Sequence, residues 1–153
     1  MPAEVRRATL DDADEIASVI AELVALKESV TFQTAMSTDD VKAWMRRQGD
    51  DGAMFVVDDG RFILGFAAID FDSGRPNECS FGSWVRPVNR RQGHGTVLAE
   101  EGLAFARERG YVRIRGRLPQ NNEAALSYLS SIGALVPLTN PGMSFELPIY
   151  DEE

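Results

Sequence analysis

The sequence changes character near residue 85, and this change constrains the fold more than any other feature. Before it, residues 54–71 (MFVVDDGRFILGFAAIDF) predict two strands joined at Asp59 and Gly60, a pair typical of hairpin turns. After it, a loop with two glycines leads into a predicted helix over about 96–109. Antiparallel strands followed by a strand–helix–strand unit predict one mixed α/β sheet with helices on both faces.

Hydrophobic periodicity and turn signals place the other elements. We expect one helix with Thr9 as its cap and a second helix capped by Ser37 or Thr38. The crossover from the fourth strand to the fifth should be right-handed, so these two strands should pair in parallel. Besides the hairpin, the predicted elements are strands at 4–8, 78–85, 111–118, 134–138 and 143–147 and helices at 11–26, 38–48, 96–109 and 120–134.

Composition excludes several classes of function. The chain has 153 residues with 16 Lys and Arg against 24 Asp and Glu, a net charge of −8, so neither nucleic acid nor an anionic membrane is an expected partner. A single cysteine, Cys79, excludes an internal disulfide and a multi-cysteine zinc site, and no metal is expected. The sequence shows no apolar run near the ~20 residues of a membrane span and no signal-peptide pattern. We expect a single cytoplasmic domain over 1–153, with 148–153 as a short tail.

Residues 85–96 (VRPVNRRQGHGT) carry the strongest signal for a ligand. The first N–H groups of a helix lack intrahelical partners and favour an anion. Gly93 and Gly95 allow the main chain to approach a ligand closely, and Arg90 and Arg91 can add charge-assisted hydrogen bonds. The segment lacks the lysine of a P-loop, and Leu98 stands where a Rossmann fingerprint needs its third glycine. The alternative is a helix start with solvated arginines.

The same segment resembles the signature of the GNAT superfamily of acyl-CoA-dependent N-acyltransferases, V-x-P-x-x-(R/Q)-x-x-G-x-(G/A). The signature positions are filled by Val85, Pro87, Arg90, Gly93 and Gly95. The resemblance extends through Ala106, Gly110, Asn122, Ala125 and Gly133, and the order of elements matches along nearly the whole chain. It implies a GNAT-type fold with a mostly antiparallel sheet of about seven strands. It also implies acetyl-CoA as co-substrate.

The resemblance further implies which residues contact that co-substrate. Amides of residues 92–96 would hold the pyrophosphate, and the main chain of 84–86 would pair with the pantetheine arm like an added strand. The amide of Val85 would stabilise the oxyanion. His94, the only histidine, would be separated from the thioester by the pyrophosphate and is expected to have a loop role. The expected cofactor-binding residues are Trp84, Val85, Arg86, Arg90, Arg91, Gln92, Gly93, His94, Gly95, Thr96 and Asn122.

The implied reaction is attack of a neutral amine on a thioester. An alkylamine with a pKa of about 10.4 is mostly protonated at neutral pH, a handicap of about 4.6 kcal/mol, so a base or a water relay is expected. Many relatives place Glu or His four or six residues before the signature valine, where this chain has Phe81 and Cys79. Glu78 is therefore the candidate base. The alternatives are Asp70, Asp72, Glu28 and an ordered water.

The reaction is also helped by a general acid that protonates the departing thiolate. Relatives often carry a tyrosine seven residues after the asparagine, where this chain has Leu129. The adjacent Tyr128 is the candidate, although it lies about 100° away around a helix. A packing role for Tyr128 is the alternative.

Two segments point to the acceptor. Arg113, Arg115 and Arg117 alternate along the fifth strand and should share one face, where they pair with acids on a covering helix or bind an anionic acceptor group. Arg115 is the candidate for that binding. Residues 28–45 (ESVTFQTAMSTDDVKAWM) are similar to the amino-acid and phosphinothricin N-acetyltransferase branch, so Phe32 and Trp44 are candidates to line the acceptor pocket. Core packing is the alternative for Trp44.

These features predict an acetyl-CoA-dependent N-acetyltransferase that acts on the primary amine of a small molecule or amino acid, by direct attack in a ternary complex. A non-catalytic acyl-CoA-binding module is one alternative, because the usual base and acid are displaced. An acetyltransferase that modifies a protein N-terminus or lysine is another. The sequence leaves open whether the chain is a monomer or a homodimer.

Overall fold

The computed structural model describes residues 3–26, 34–71, 74–90, 92–117 and 144–148. Single-turn helices at Leu10–Asp12 and Pro87–Asn89 precede longer elements. The helices are α1 (Ala13–Ala25), α2 (Thr38–Gln48) and α3 (His94–Arg109), and the strands are β1 (Glu4–Arg7), β2 (Ala53–Asp58), β3 (Ile63–Phe71), β4 (Glu78–Val85), β5 (Arg113–Arg117) and β6 (Ser144–Pro148).

The six described strands form one sheet in the order β1-β2-β3-β4-β5-β6. Every neighbouring pair is antiparallel except β4 and β5, which are parallel, as the sequence predicts. The predicted last strand at 143–147 is β6. The predicted helix at 120–134 and strand at 134–138 lie outside the described residues, so the described sheet has six strands where about seven were expected.

Apolar residues on both faces of the central strands create two separate cores. In β2, Phe55 and Val57 pack toward α3, whereas Met54 and Val56 pack toward α1 and α2. Successive side chains of a strand point to opposite faces, so a strand buried on both faces must be apolar throughout. The predicted arrangement of helices on both faces is confirmed.

A one-residue bulge in the β2–β3 pairing is hydrogen-bonded to the residue that follows β4. Asp58 pairs with Ile63 but Val57 pairs with Gly65, which leaves Leu64 as an extra residue in β3. The carbonyl of Leu64 accepts a hydrogen bond from the N–H of Arg86 at 2.9 Å. The bulge therefore fixes the main chain at the point where β4 ends.

The helix boundaries follow local hydrogen bonds. Ser37 rather than Thr38 caps α2, because its Oγ accepts from the N–H of Asp40 at 3.0 Å and Asp40 accepts from the N–H of Ser37 at 3.2 Å. The predicted first helix is split into a single turn that starts after Thr9 and α1 itself. Helix α3 begins at His94, earlier than expected, and ends at Gly110 as expected. Among the helices that the structure describes, none combines the length and apolarity needed to cross a bilayer.

Candidate active site

Strand β4 has different partners along its two edges. It pairs with β3 from Cys79 to Val85, whereas its pairing with β5 runs only from Glu78 to Phe81 within the described residues. The last residues of β4 therefore lie beyond the β5 ladder that the described residues form. A sheet edge at such a point presents main-chain donors and acceptors to a ligand.

Two hydrogen bonds show which residues of β4 direct their main-chain N–H and C=O groups away from β3. The N–H of Arg86 donates to Leu64 on the β3 side, and the carbonyl of Asn77 accepts from Val112 on the β5 side at 2.8 Å. Main-chain groups alternate in direction along a strand, so even-numbered residues of β4 point toward β3 and odd-numbered residues away from it. Ser83 and Val85 consequently form what we call the open edge of β4. Of the segment 84–86 expected to pair with pantetheine, only Val85 has its N–H on this edge.

Arg86 has a structural role that the sequence did not indicate. Its Nε donates to the carbonyl of Ile63 at 2.8 Å, and its Nη1 lies 2.8 Å from Oε2 of Glu22 in α1. The side chain is only 17% exposed. The side chain of Arg86 therefore joins the end of β4 to β3 and α1, while the cofactor contact expected of its main chain stays a prediction.

The loop after β4 leads into the start of α3. Gly93 has φ +85°, a left-handed conformation that favours glycine, and a Cβ there would meet nothing within 4 Å. The first N–H groups of α3 follow directly, and they have no carbonyl one turn earlier to bond to. His94 Nε2 lies 3.0 Å from Oε1 of Gln92, a contact within the loop. A positively polarised helix start therefore follows the open edge a few residues later in the chain.

On the face of β4 toward α3, no residue is suited to proton transfer. Cys79 is buried, and burial raises the pKa of its thiol to about 12. Phe81 packs against Gly102 of α3, where a Cβ would lie 2.5 Å from the phenylalanine ring. The α3 side of β4 is therefore packed at Cys79 and Phe81.

The opposite face of β4 carries an aromatic cluster, defined as Trp44, Phe66 and Trp84. Trp84 stacks on Phe66 with ring centroids 4.9 Å apart, and Trp44 meets Trp84 edge-on at 6.4 Å. The ring of Trp84 lies over Gly82, whose missing side chain leaves room for it. Trp44 packs in this cluster, as the core-packing alternative anticipated, and it is also only partly buried.

A carboxylate lies beside the cluster. Oδ1 of Asp70 accepts hydrogen bonds from Nε1 of Trp44 at 2.8 Å and from Nε2 of Gln48 at 3.2 Å. Asp70 is paired directly with Ser80 in the β3–β4 ladder. The sequence contains a signal for this feature, since Asp70 is the one charged residue in the apolar run of β3, but its hydrogen-bond donors come from a distant helix.

Glu78 is surrounded by arginines. Its Oε2 accepts from Nε of Arg115 at 2.7 Å, and its Oε1 lies 3.5 Å from Nη1 of Arg113. Arg75 Nη1 is 3.6 Å away. The hydrogen bond from Arg115, with the charges of the three arginines, lowers the pKa of Glu78 below its usual value. A carboxylate held in this way is a weaker proton acceptor, which argues against Glu78 as the base.

Two of the β5 arginines, Arg113 and Arg115, contact an acid on the neighbouring strand, Glu78. Register places Arg113 opposite Glu78 and Arg115 opposite Ser80. Ile114 packs on the α3 side, so Arg113 and Arg115 share the other face, as predicted.

Several predicted site residues cannot be placed. Phe32, Arg91, Asn122 and Tyr128, together with the alternative bases Glu28 and Asp72, lie outside the described residues. In the part of the chain that is described, no group of three or more His, Cys, Asp or Glu side chains is arranged to hold a metal ion.

Comparison with known proteins identifies the family. A family model of the acetyltransferase (GNAT) domain matches residues 4–134. The chain belongs to the GNAT acetyltransferase family. A search of curated proteins gives no match.

Solved structures share the fold of this GNAT domain. Protein yncA of Salmonella typhimurium, solved with its cofactor acetyl-CoA, has a TM-score of 0.82 at 18% identity over 98% of this chain and 95% of that one. A phosphinothricin acetyltransferase of Sinorhizobium meliloti, in complex with AcCoA, has a TM-score of 0.80 at 16% identity over 97% and 89%. An N-acetyltransferase of Staphylococcus aureus Mu50 has a TM-score of 0.79 at 19% identity over 98% and 100%. At these identities the likeness establishes the fold.

Proposed function

We propose that this GNAT domain is an acetyl-CoA-dependent N-acetyltransferase that acts on the primary amine of a small molecule or amino acid. One observation carries the proposal: the open edge of β4 continues through a short turn into Gly93 and the start of α3. An extended arm with amide groups can pair with the open edge of β4, and a diphosphate can bind at the start of α3. Coenzyme A joins both groups in one molecule, and two solved neighbours contain acetyl-CoA.

The described residues fit such a co-substrate. The main chain of Ser83 and the carbonyl of Val85 would pair with its pantetheine arm, and amides of 92–96 would hold its diphosphate, with Arg90 and Arg91 adding charge. Asn122 is proposed to contact the same molecule near its thiol end. Bound acetyl-CoA supplies an acetyl group activated as a thioester, whose thiol leaving group has a pKa of about 8.5.

The acceptor amine would attack from the face that carries Ser80. Its nitrogen forms a bond to the carbonyl carbon as the carbon–sulfur bond breaks, its surplus proton passes to water, and the thiolate takes up a proton. The N–H of Val85, on the open edge, is proposed to stabilise the developing oxyanion. Tyr128 is proposed to supply the proton to the thiolate.

Charge on the acceptor face supports an acidic acceptor such as an amino acid. The side chain of Arg115 is 34% exposed, and Glu78 orients its guanidinium through Nε. Arginine binds carboxylates through two parallel hydrogen bonds. We therefore assign Glu78 the positioning of Arg115, and Arg115 and Phe32 the binding of the acceptor.

A non-catalytic acyl-CoA-binding domain is the second candidate, because arginines hold Glu78 and no histidine lies on β4. The deciding experiment measures thiol release from acetyl-CoA across a panel of amines and amino acids, alongside calorimetry with acetyl-CoA. Turnover with at least one amine supports the enzyme. Binding without turnover on any amine supports the module, and an absence of binding overturns both.

A matched pair of glycine variants tests whether acetyl-CoA binding depends on the loop before α3. Gly93 and Gly110 lie at opposite ends of α3, both have φ +85°, and neither would bring a Cβ within 4 Å of another group. Alanine imposes similar backbone strain at both positions. We expect Gly93→Ala to weaken acetyl-CoA binding about tenfold relative to Gly110→Ala, the loss of roughly one charge-assisted hydrogen bond. Equal affinities in the two variants would place the diphosphate elsewhere.

A further inference from the structure

Asp70 is a charged residue in a strand that is otherwise apolar. The residues of β3 from Ile63 to Ile69 are buried, and Asp70 follows them at the margin of the core. A carboxylate near a core is costly unless hydrogen bonds compensate for the water it loses. Here Trp44 and Gln48 supply two donors, and Gln48 itself is only 6% exposed. Two side chains of α2 are thus committed to holding one carboxylate.

Both of these hydrogen bonds end on Oδ1 of Asp70. Among the described residues no lysine or arginine forms an ion pair with this carboxylate, in contrast to Glu78 with its three arginines. The arrangement fixes the orientation of the Asp70 side chain and leaves the acceptor capacity of Oδ2 for a ligand. The two donors are neutral, and no cation of the described residues cancels the negative charge.

Asp70 lies next to the part of β4 where the reaction is proposed to occur. It is the direct cross-strand partner of Ser80, which is exposed, and both side chains are on the face opposite α3. Gly82, two residues along β4, is the first residue beyond the β5 ladder. Diagonal neighbours in an antiparallel pair are about 7–8 Å apart, which is within reach of a small amine.

The described residues leave the acceptor a route to this point on the face of β4 that carries Ser80. The α3 side of β4 is closed by Cys79 and by the packing of Phe81 on Gly102. An amine therefore approaches across Ser80, where the carboxylates of Asp70 and Glu78 lie among the described residues. Of these two, Glu78 is bound by arginines that would repel an ammonium group.

We propose that Asp70 receives the amine of the acceptor, with Oδ2 accepting a hydrogen bond from its N–H group while Trp44 and Gln48 hold Oδ1. This inference rests on the proposed function and names the group that binds and orients the nucleophile. An alkylamine is a far stronger base than a carboxylate. Asp70 therefore binds the amine, and the proton released during transfer passes to water. Trp44 and Gln48 are positioning residues for this contact.

The test compares Asp70→Asn with Glu108→Gln in the full chain. Both variants remove one negative charge, but Glu108 is exposed near the end of α3, on the opposite face of the sheet. We expect Asp70→Asn to raise the KM for the best amine of the panel about tenfold or more, as for loss of a hydrogen bond to a charged group. The affinity for acetyl-CoA, measured by calorimetry, should stay within about twofold, and Glu108→Gln should change neither quantity.

Trp44→Phe provides a second measurement if Asp70→Asn folds poorly. Phenylalanine keeps an aromatic ring in the cluster but removes the Nε1 donor, so we expect a KM increase of a few-fold with unchanged acetyl-CoA affinity. An unchanged KM in Asp70→Asn, or a parallel loss of amine and acetyl-CoA binding in both variants, would overturn the role of Asp70 while leaving the proposed function intact. A wild-type chain that transfers acetyl to no amine would overturn both.

Discussion

Nε of Arg115 donates a 2.7 Å hydrogen bond to Oε2 of Glu78 across the parallel β4–β5 pair. This contact joins the two strands just before their pairing ends, and it turns a guanidinium toward the acceptor face beside Ser80. Register then aligns Asp70, Ser80 and Arg115 on three neighbouring strands. A carboxylate and a guanidinium on either side of a small hydroxyl are complementary to a molecule that carries both an amine and an acid.

Removal of the Arg115 guanidinium should affect acidic acceptors selectively. We expect Arg115→Ala to raise the KM for an amino acid about tenfold while leaving the acetyl-CoA affinity unchanged, because a bidentate charge-assisted contact is lost. Arg113→Ala is the matched control, since Arg113 also contacts Glu78 but lies further from the open edge. Steady-state kinetics with an amino acid and with its uncharged amine analogue measure the difference. Equal losses for both acceptors would exclude recognition of the acid.

Glu78 should make stability depend on pH in the acid range. Its pKa is lowered in the folded chain from the ordinary value of 4.5, first by the hydrogen bond from Arg115. The ionised carboxylate therefore contributes fully to the free energy of unfolding above pH 4.5. That contribution is lost as the pH falls through the lower pKa that Glu78 has in the folded chain. We expect Glu78→Gln to be less stable than wild type near neutrality, with the difference shrinking at about pH 3. Urea unfolding at both pH values measures it, and a gap that widens in acid would contradict the ion cluster.

The contact between Gly102 and Phe81 should tolerate no added methyl group. A Cβ on residue 102 would lie 2.5 Å from Cε2 and 2.8 Å from Cδ2 of Phe81. We expect Gly102→Ala to lower the free energy of unfolding by about 1–2 kcal/mol, because overpacking outweighs the gain in helix propensity. Adding Phe81→Leu should recover part of that loss, and denaturant unfolding of the four combinations gives the coupling energy. Strict additivity would mean that α3 and β4 are not in close contact here.

Cys79 should be inert in the folded chain. Burial raises the pKa of its thiol to about 12, and the thiolate is the reactive form. At about pH 8 the thiolate fraction is then on the order of one in ten thousand, against a substantial fraction in an unfolded chain whose thiol has a pKa of about 8.5. We expect an aromatic disulfide reagent to modify no thiol in the native protein and one thiol per chain in denaturant. Rapid reaction of the native protein would show that β4 is accessible from the α3 side.

Local patterns in the sequence were sufficient for most of the fold. The Asp59–Gly60 hairpin, the fourth strand, a cap of α2 at Ser37 or Thr38 and the end of α3 at Gly110 each depend on residues close together in the chain. The parallel β4–β5 pair follows from the handedness of the crossover between them. Boundaries that depend on a single dihedral angle were less accurate, as at Gly93, where a left-handed residue starts α3 earlier than periodicity indicates.

The order of the elements, the family to which the chain belongs and the loop that begins α3 were thus determined by the sequence itself, because each is encoded in contiguous residues. Only the tertiary structure decided which neighbours surround each carboxylate. Glu78 and Arg115 are 37 residues apart in the chain, and Asp70 and Trp44 are 26 apart. These contacts make Glu78 a glutamate bound by arginines and Asp70 an aspartate held by neutral donors. The protonation and availability of a side chain depend on neighbours brought by other strands and helices, and no local spacing records them.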